Sequence, residues 1–233
     1  MTEIETLIVK LDTFPYPDSM DMVKAEIPGL AFFPGGKGIY HDNDETISNK
    51  KIMILGQDFD SETSYQASFK AGKEDEVKNP TWRNLLAFLE KVGIDRSNCF
   101  FTNGIMGIRT DDKSTGPSPA FKDDVFLNNC RNFFLEQISI QRPKLILVLG
   151  TYTAKFLSAT SPDLDCWSVV RPFKIIDHNK HHVKEKVKFK NGVESNLVLL
   201  THPSFRPVNV GRRTYNELKG TDAEIGMVKS ILT

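Results

Sequence analysis

Cysteine is scarce in this chain: it occurs only three times, as Cys99, Cys130 and Cys166, widely spaced. These residues form neither a Cys-x-x-Cys zinc pair nor the four thiolates of an iron–sulfur cluster, so both kinds of site are excluded. All three are interpreted as core or near-core thiols of a protein in a reducing compartment. We expect no metal and no cofactor.

Long apolar runs and a basic leader are also lacking. No apolar run approaches the length that spans a membrane, and the opening MTEIETLIVKLDTF lacks the basic region of a signal peptide. We therefore expect a cytoplasmic protein that has no membrane partner. Thirty cations balance thirty anions, so no net charge attracts polyanions and any nucleic-acid site must be local.

The chain does contain regularly spaced apolar segments. With 233 residues and 39% hydrophobic content it can form one substantial core, and we predict a single domain over residues 1–233. Residues 1–45 are predicted to be a helix and loop extension packed on that domain. The predicted strands lie near 51–55, 99–102, 145–149 and 197–200. Helices between them indicate an α/β class, a three-layer α/β/α sandwich with a central four-stranded, mostly parallel sheet.

Local signals place several helices and one hairpin. In NPTWRNLLAFLEKVG, Asn79 can cap a helix, Pro80 fits its first turn and Gly93 can end it. The alternating segment VKEKVKFK followed by Asn-Gly predicts a hairpin that leads into the last strand. Other helices are predicted over 2–13, 121–140 and 214–231.

The carboxyl ends of parallel strands are where such folds gather functional groups. Four segments follow the predicted strands: GQDFD, TNGIMGIR, GTYTAK and THPSFRP. Asp58 and Asp60 have the Asp-x-Asp spacing of haloacid-dehalogenase-type phosphatases, which would make Asp58 a nucleophile. Glu62 stands where those enzymes have Thr or Val, and Gly56-Gln57 separates strand from aspartate, so phosphoryl transfer is kept only as an alternative.

Taken together, the strand ends resemble the uracil-DNA glycosylase superfamily. ILGQDFD is similar to its Gly-Gln-Asp-Pro-Tyr motif and LLTHPSFRP to its His-Pro-Ser loop. ASFKAG, CFFTNGIMGIRT with its trailing Arg109, and PKLILVLGTYTAKFL match intermediate segments in the same order, over about residues 50–210. Phe59 and Asp60 depart from the family's Pro and Tyr. The Tyr excludes thymine, so strict uracil specificity does not carry over.

The resemblance implies a role for each matching residue. Asp58 would stabilise the sugar cation and orient a water, and His202 would donate to the leaving base as a neutral imidazole. Asn103 would present a donor and an acceptor to the base edge. Gln57 and Phe69 would complete the base pocket, Phe69 by stacking. The alternatives stay open: a loop aspartate, a surface histidine, an Asn-Gly turn and a core phenylalanine.

The implied partner is DNA, whose target base must leave the duplex before cleavage. Protein side chains would fill the space that the flipped base leaves in the duplex and would bind the flanking phosphates. The candidates for these DNA contacts are Ser204, Phe205, Arg206, Arg212 and Arg213, with Arg206 as the wedge and Phe205 as its apolar alternative. We expect a monomeric, monofunctional DNA-repair glycosylase. A non-catalytic nucleic-acid-binding protein of the same fold is the alternative.

Overall fold

The computed structural model describes all residues except 24, 41–45, 74–77, 112, 114 and 233. The end of the predicted N-terminal extension, 41–45, lies outside the described residues. The helices are α1 (Glu3–Leu11), α2 (Glu62–Ala71), α3 (Pro80–Val92), α4 (Asp124–Gln141), α5 (Thr151–Ser158), α6 (Phe173–His178), α7 (Arg206–Asn209) and α8 (Gly220–Leu232). The strands are β1 (Met20–Asp21), β2 (Ile52–Gly56), β3 (Cys99–Asn103), β4 (Ile108–Arg109), β5 (Leu145–Leu149), β6 (Val183–Lys188), β7 (Glu194–Leu200), β8 (Thr214–Tyr215) and β9 (Leu218–Lys219).

The central sheet has five strands in the order β3-β2-β5-β7-β6. The first four are parallel, and β6 pairs antiparallel with β7. The α/β class is confirmed, but the predicted count of four strands is wrong because the hairpin strand β6 joins the sheet. Its register shifts between Lys184 and Val187, and Lys186 has a positive φ of 50°, so a bulge interrupts the alternation.

Two apolar cores cover the two faces of this sheet. Met53, Leu55 and Val148 face one core together with α4 and α5, whereas Ile54 and Leu147 face the other together with α3 and α8. Strands that are buried on both faces consist of continuous apolar runs. This is why these strands could be predicted from the sequence. The N-terminal helix α1 joins the first core through three buried side chains, Ile4, Leu7 and Leu11.

Helix termini follow the predicted caps closely. Asn79 Oδ1 accepts from the amide of Thr81 at 2.8 Å, and Gly93 ends α3 at a φ of 75°. The last helix begins at Gly220 rather than at residue 214, because residues 214–219 form the short β8–β9 hairpin. Among the described residues, no helix is long and apolar enough to cross a membrane.

Candidate active site

A cleft of about 1040 Å³ opens at the carboxyl ends of the parallel strands. Its lining includes Asp58 from the loop after β2, Asn103 at the end of β3 and His202 after β7. These strands are neighbours or near neighbours, with β2 between β3 and β5 and with β5 beside β7. Parallel pairing therefore brings three residues that are up to 144 positions apart in sequence to one opening.

Asp58 forms an ion pair with Arg109, the second residue of the short strand β4. Arg109 Nε donates to Oδ2 at 2.8 Å and Nη2 donates to Oδ1 at 3.3 Å. Both side chains are almost completely buried, with 3% of Arg109 and 6% of Asp58 exposed. This two-point contact fixes the plane of the carboxylate in the lining of the cleft.

The same guanidinium also holds the wall of the cleft. Its Nη atoms donate to the carbonyl oxygens of Lys113, Thr115 and Gly116 at 3.0 to 3.3 Å. Gln57 Nε2 donates to the Gly116 carbonyl at 3.2 Å and to Asp58 Oδ2 at 3.3 Å. The loop that contains residues 115 and 116 is therefore tied to the strand end that carries Asp58.

Asp60 is a second carboxyl group in the cleft. Its φ is 94°, a region that a non-glycine residue occupies only at a cost, and Oδ2 accepts from Ser64 Oγ at 2.9 Å. Oδ1 is buried and has no hydrogen-bond partner among the described residues. Burial, and to a lesser degree the charge of Asp58, raises the pKa of Asp60, with partial opposition from Ser64 and Arg109.

Asn103 is buried, with 3% of its surface exposed, and its Nδ2 donates to the Phe33 carbonyl at 3.4 Å. Gly56 leaves room for it, since a Cβ on Gly56 would lie 2.3 Å from Asn103 Oδ1 and 3.7 Å from the ring of Phe32. Gly56, Asn103 and Phe32 all line the cleft. The Asn103 amide and the Phe32 ring thus lie on the same side of Gly56. Because glycine has no side chain, the space between them stays open.

His202 also lines the cleft, next to the start of α5. Desolvation by the surrounding protein lowers its pKa to about 4, although the negative charge of Asp58 acts to raise it. The ring is therefore neutral at pH 7. Its Nδ1 lies 2.9 Å from Ser204 Oγ. When that hydroxyl donates to Nδ1, the ring proton is on Nε2 and Nε2 is the donor.

Two of the predicted aromatic residues occupy different environments. Phe205 lines the cleft and is 40% exposed. Phe69 does not line the cleft: it lies on α2, is 44% exposed and stacks on Tyr65 with ring centroids 6.3 Å apart. Phe69 thus contacts Tyr65 rather than the cleft in this structure, and its stacking on a base stays a prediction. Phe32 is an aromatic residue that does line the cleft, on the side of Gly56 and Asn103.

Two of the predicted DNA-binding arginines are buried in ion pairs. Arg213 is fully buried, and it makes two hydrogen bonds of 3.0 Å to the carboxylate of Asp177. Arg206 is 9% exposed, pairs with Glu224, and packs against the ring of Phe88. The predictions that Arg206 is a wedge and that Arg213 contacts DNA are wrong, because neither guanidinium is accessible. Arg212 is exposed.

Sequence reasoning missed Arg109 and Phe32 as parts of the site. In the sequence, Arg109 stands out only as the trailing arginine of a motif, and its spacing from Asp58 gives no sign that the two side chains meet. Phe32 comes from the loop rich in Gly and Pro before β2, and it lies against Phe101 of β3 with ring centroids 5.7 Å apart. A parallel β-bridge between Phe33 and Thr102 brings that loop to the sheet.

Most of the chain matches the model of one protein family. The model of the uracil DNA glycosylase superfamily matches residues 44–221, which include the cleft residues from Gly56 to His202. A search of curated proteins finds no match. Over the part of the chain that the structure describes, no cluster of three or more His, Cys, Asp or Glu residues could hold a metal ion. The match covers well over half of the 233 residues, and the chain belongs to the uracil-DNA glycosylase superfamily.

Proposed function

We propose that this protein is a monofunctional DNA-repair glycosylase that hydrolyses the N-glycosidic bond of uracil or a related damaged base. The observation that carries the proposal is the convergence of Asp58, Asn103 and His202 on one cleft. The family match favours a glycosylase over a phosphatase, because only the Asp-x-Asp spacing supported the phosphatase hypothesis. DNA is the implied partner, with the target base flipped into the cleft.

Asp58 is proposed to face the sugar as it acquires positive charge. A carboxylate offers about four acceptor positions, and in this site Arg109 uses two and Gln57 uses one. No described residue occupies the remaining position on Oδ1, which can therefore accept from a water molecule. Because Arg109 fixes the carboxylate plane, that water would be held in a defined direction before the bond breaks, at no cost of reorganisation.

His202 and Asn103 are proposed to act on the base. The neutral imidazole of His202 donates a hydrogen bond to the base oxygen on which negative charge develops, without the desolvation of a buried cation. Asn103 offers one donor and one acceptor to the base edge, an arrangement that fits uracil and mismatches cytosine. Phe205 and Ser204 in the lining of the cleft, together with the exposed Arg212, are proposed to contact the DNA that flanks the flipped base.

The test is cleavage of labelled single- and double-stranded oligonucleotides that carry uracil, a mismatched thymine or hypoxanthine, with alkali to reveal abasic sites. Asp58→Asn should reduce cleavage by about a hundredfold or more while DNA binding is kept. Asp12→Asn, at the exposed end of α1, is the control and should cleave normally. Full cleavage by Asp58→Asn would refute the proposed role of Asp58.

A non-catalytic DNA-binding protein of the same fold is the second candidate. The observation that favours it is the neutralisation of Asp58 by Arg109, which reduces the negative charge that the sugar cation would meet. This candidate predicts that the wild-type protein binds the oligonucleotides and cleaves none of them. The assay above separates the two candidates in one experiment.

A further inference from the structure

A buried carboxylate, Glu224 of α8, connects the two ends of the loop that carries His202. Glu224 is fully buried. Its Oε1 accepts from the backbone amide of Thr201 at 2.6 Å, directly before His202. Its Oε2 accepts from Nη1 of Arg206, four residues after His202. One side chain thus holds the residue at which the loop leaves β7 and the residue at which α7 begins.

The position of Glu224 is itself fixed by a second arginine. Arg213 Nη1 donates to Glu224 Oε1 at 2.8 Å, and the other side of the same guanidinium pairs with Asp177. Arg213 Nη1 also donates to the Leu199 carbonyl in β7 at 3.0 Å. Two carboxylates and two guanidinium groups therefore form a buried network in which each charge has an opposite charge beside it.

Two further hydrogen bonds involve the loop outside this network. Asn84 Nδ2 of α3 donates to the Pro203 carbonyl at 2.8 Å, and Phe205 donates its amide to the His202 carbonyl at 3.0 Å. Within the described part of the chain, the imidazole makes one hydrogen bond, to Ser204 in the same loop. Because this hydrogen bond lies within the loop, a shift of the loop backbone would carry the ring and its Nε2 atom with it.

We infer that Glu224 is a positioning residue for His202, acting through the Thr201 amide and the Arg206 guanidinium. This inference rests on the proposed function where it concerns cleavage. A displacement of a reacting group by about 1 Å can reduce a rate by about a hundredfold, so loosening one loop attachment should be visible in kcat. KM should change little, because Glu224 lines no part of the cleft.

The first experiment is a double-mutant cycle between Glu224→Gln and His202→Ala. Glutamine can still accept from Thr201, but its amide places a donor against Arg206. In the wild-type background, Glu224→Gln should lower kcat by about tenfold or more, and in the His202→Ala background it should have little further effect. Equal losses in both backgrounds would mean that Glu224 only supports the fold, and would overturn the inference.

Asp177→Asn is the matched control, because it weakens the same network at the carboxylate that does not touch the loop. It should lower the denaturation midpoint without a His202-dependent loss of kcat. If Glu224→Gln does not fold, Arg206→Met is used instead. This variant removes the attachment at the start of α7 and keeps an apolar contact with Phe88. The same His202-dependent loss is then expected.

A nuclear magnetic resonance measurement separates this inference from the proposed function. The imidazole nitrogen resonances of His202 should shift in Glu224→Gln and stay in place in Asp177→Asn, whether or not the protein cleaves DNA. Unchanged His202 resonances in Glu224→Gln would refute the positioning role. Absence of cleavage by the wild-type protein, together with shifted resonances, would refute the proposed function and leave the positioning role supported.

Discussion

Arg109 binds the Asp58 carboxylate through two hydrogen bonds, Nε to Oδ2 at 2.8 Å and Nη2 to Oδ1 at 3.3 Å, while both side chains are buried. The pairing gives Asp58 a fixed orientation and joins it to the loop at Thr115 and Gly116. It also reduces the charge that Asp58 presents to the cleft. Arg109 therefore affects both the stability of the loop at Thr115 and Gly116 and the charge and orientation of the Asp58 carboxylate.

Removing Arg109 should destabilise the protein strongly. Arg109→Met leaves the buried carboxylate of Asp58 without its opposite charge, a change that typically costs about 3–5 kcal/mol of unfolding free energy. Urea denaturation measures the loss. The double variant Asp58→Asn with Arg109→Met should recover part of it, because no buried charge remains unpaired. A double variant less stable than Arg109→Met would show that the ion pair is not the cause.

The fold was largely predictable because its strands are apolar on both faces. β2, β3, β5 and β7 stand out as uninterrupted runs, and the caps of α3 are local signals. Helix α2 was not predicted. Only Tyr65 is buried among its described side chains, so a clear apolar stripe is missing. The fifth strand, β6, was predicted as one arm of a hairpin. That it joins the central sheet was not predicted, because this depends on its pairing with β7.

Candidate site residues were predictable only where a residue lies at the end of a strand or within two residues after it. Asp58, Asn103 and His202 lie in such positions, and the parallel sheet brings them to one edge. Arg206 and Arg213 were misjudged because loop arginines are ordinarily exposed. Their burial depends on Glu224, a residue of α8 that lies 18 and 11 positions away from them. No local pattern in the sequence indicates those pairs.

Gly56→Ala should impair base recognition more than stability. The added methyl group would lie 2.3 Å from Asn103 Oδ1, so the amide must move from its present position. We expect cleavage of uracil-containing DNA to fall by about tenfold or more, since discrimination by a buried amide depends on its position. Steady-state cleavage and thermal unfolding measure the two effects. Gly211→Ala is the control, because its methyl group would meet nothing within 4 Å. Equal activity in both variants would contradict the prediction.

His202 should stay neutral throughout the physiological range. Burial lowers its pKa from the ordinary 6.5 to about 4, so the folded protein binds this proton only at lower pH than the unfolded chain does. Stability linked to His202 is therefore full above about pH 6.5 and decreases as the pH falls towards 4. Asp58→Asn should lower the pKa of His202 further, because it removes the charge that opposes the shift. Nitrogen chemical shifts against pH measure both values, and a rise in Asp58→Asn would contradict the proximity of these groups.

Phe205 and Phe69 form a matched pair for testing contact with DNA. They are 40% and 44% exposed, so alanine at either position should change stability to a similar, small extent. Only Phe205 lines the cleft. Phe205→Ala should reduce cleavage of duplex DNA more than that of single strands, because a side chain that fills the gap assists flipping only in a duplex. Phe69→Ala should leave both rates near the wild-type values. A larger loss in Phe69→Ala than in Phe205→Ala would contradict this prediction and would support Phe69 as a base-binding residue.

The neighbouring residues Arg212 and Arg213 should separate DNA contact from folding. Arg213→Gln breaks hydrogen bonds to Asp177 and Glu224 inside the protein, so we expect a loss of about 3–5 kcal/mol in unfolding free energy. Arg212→Gln changes an exposed side chain and should leave the denaturation midpoint within the error of measurement. If Arg212 contacts a phosphate, its variant binds DNA more weakly and the slope of log affinity against log salt falls by about one. Titrations at several salt concentrations measure that slope, and an unchanged slope would place Arg212 outside the DNA contact.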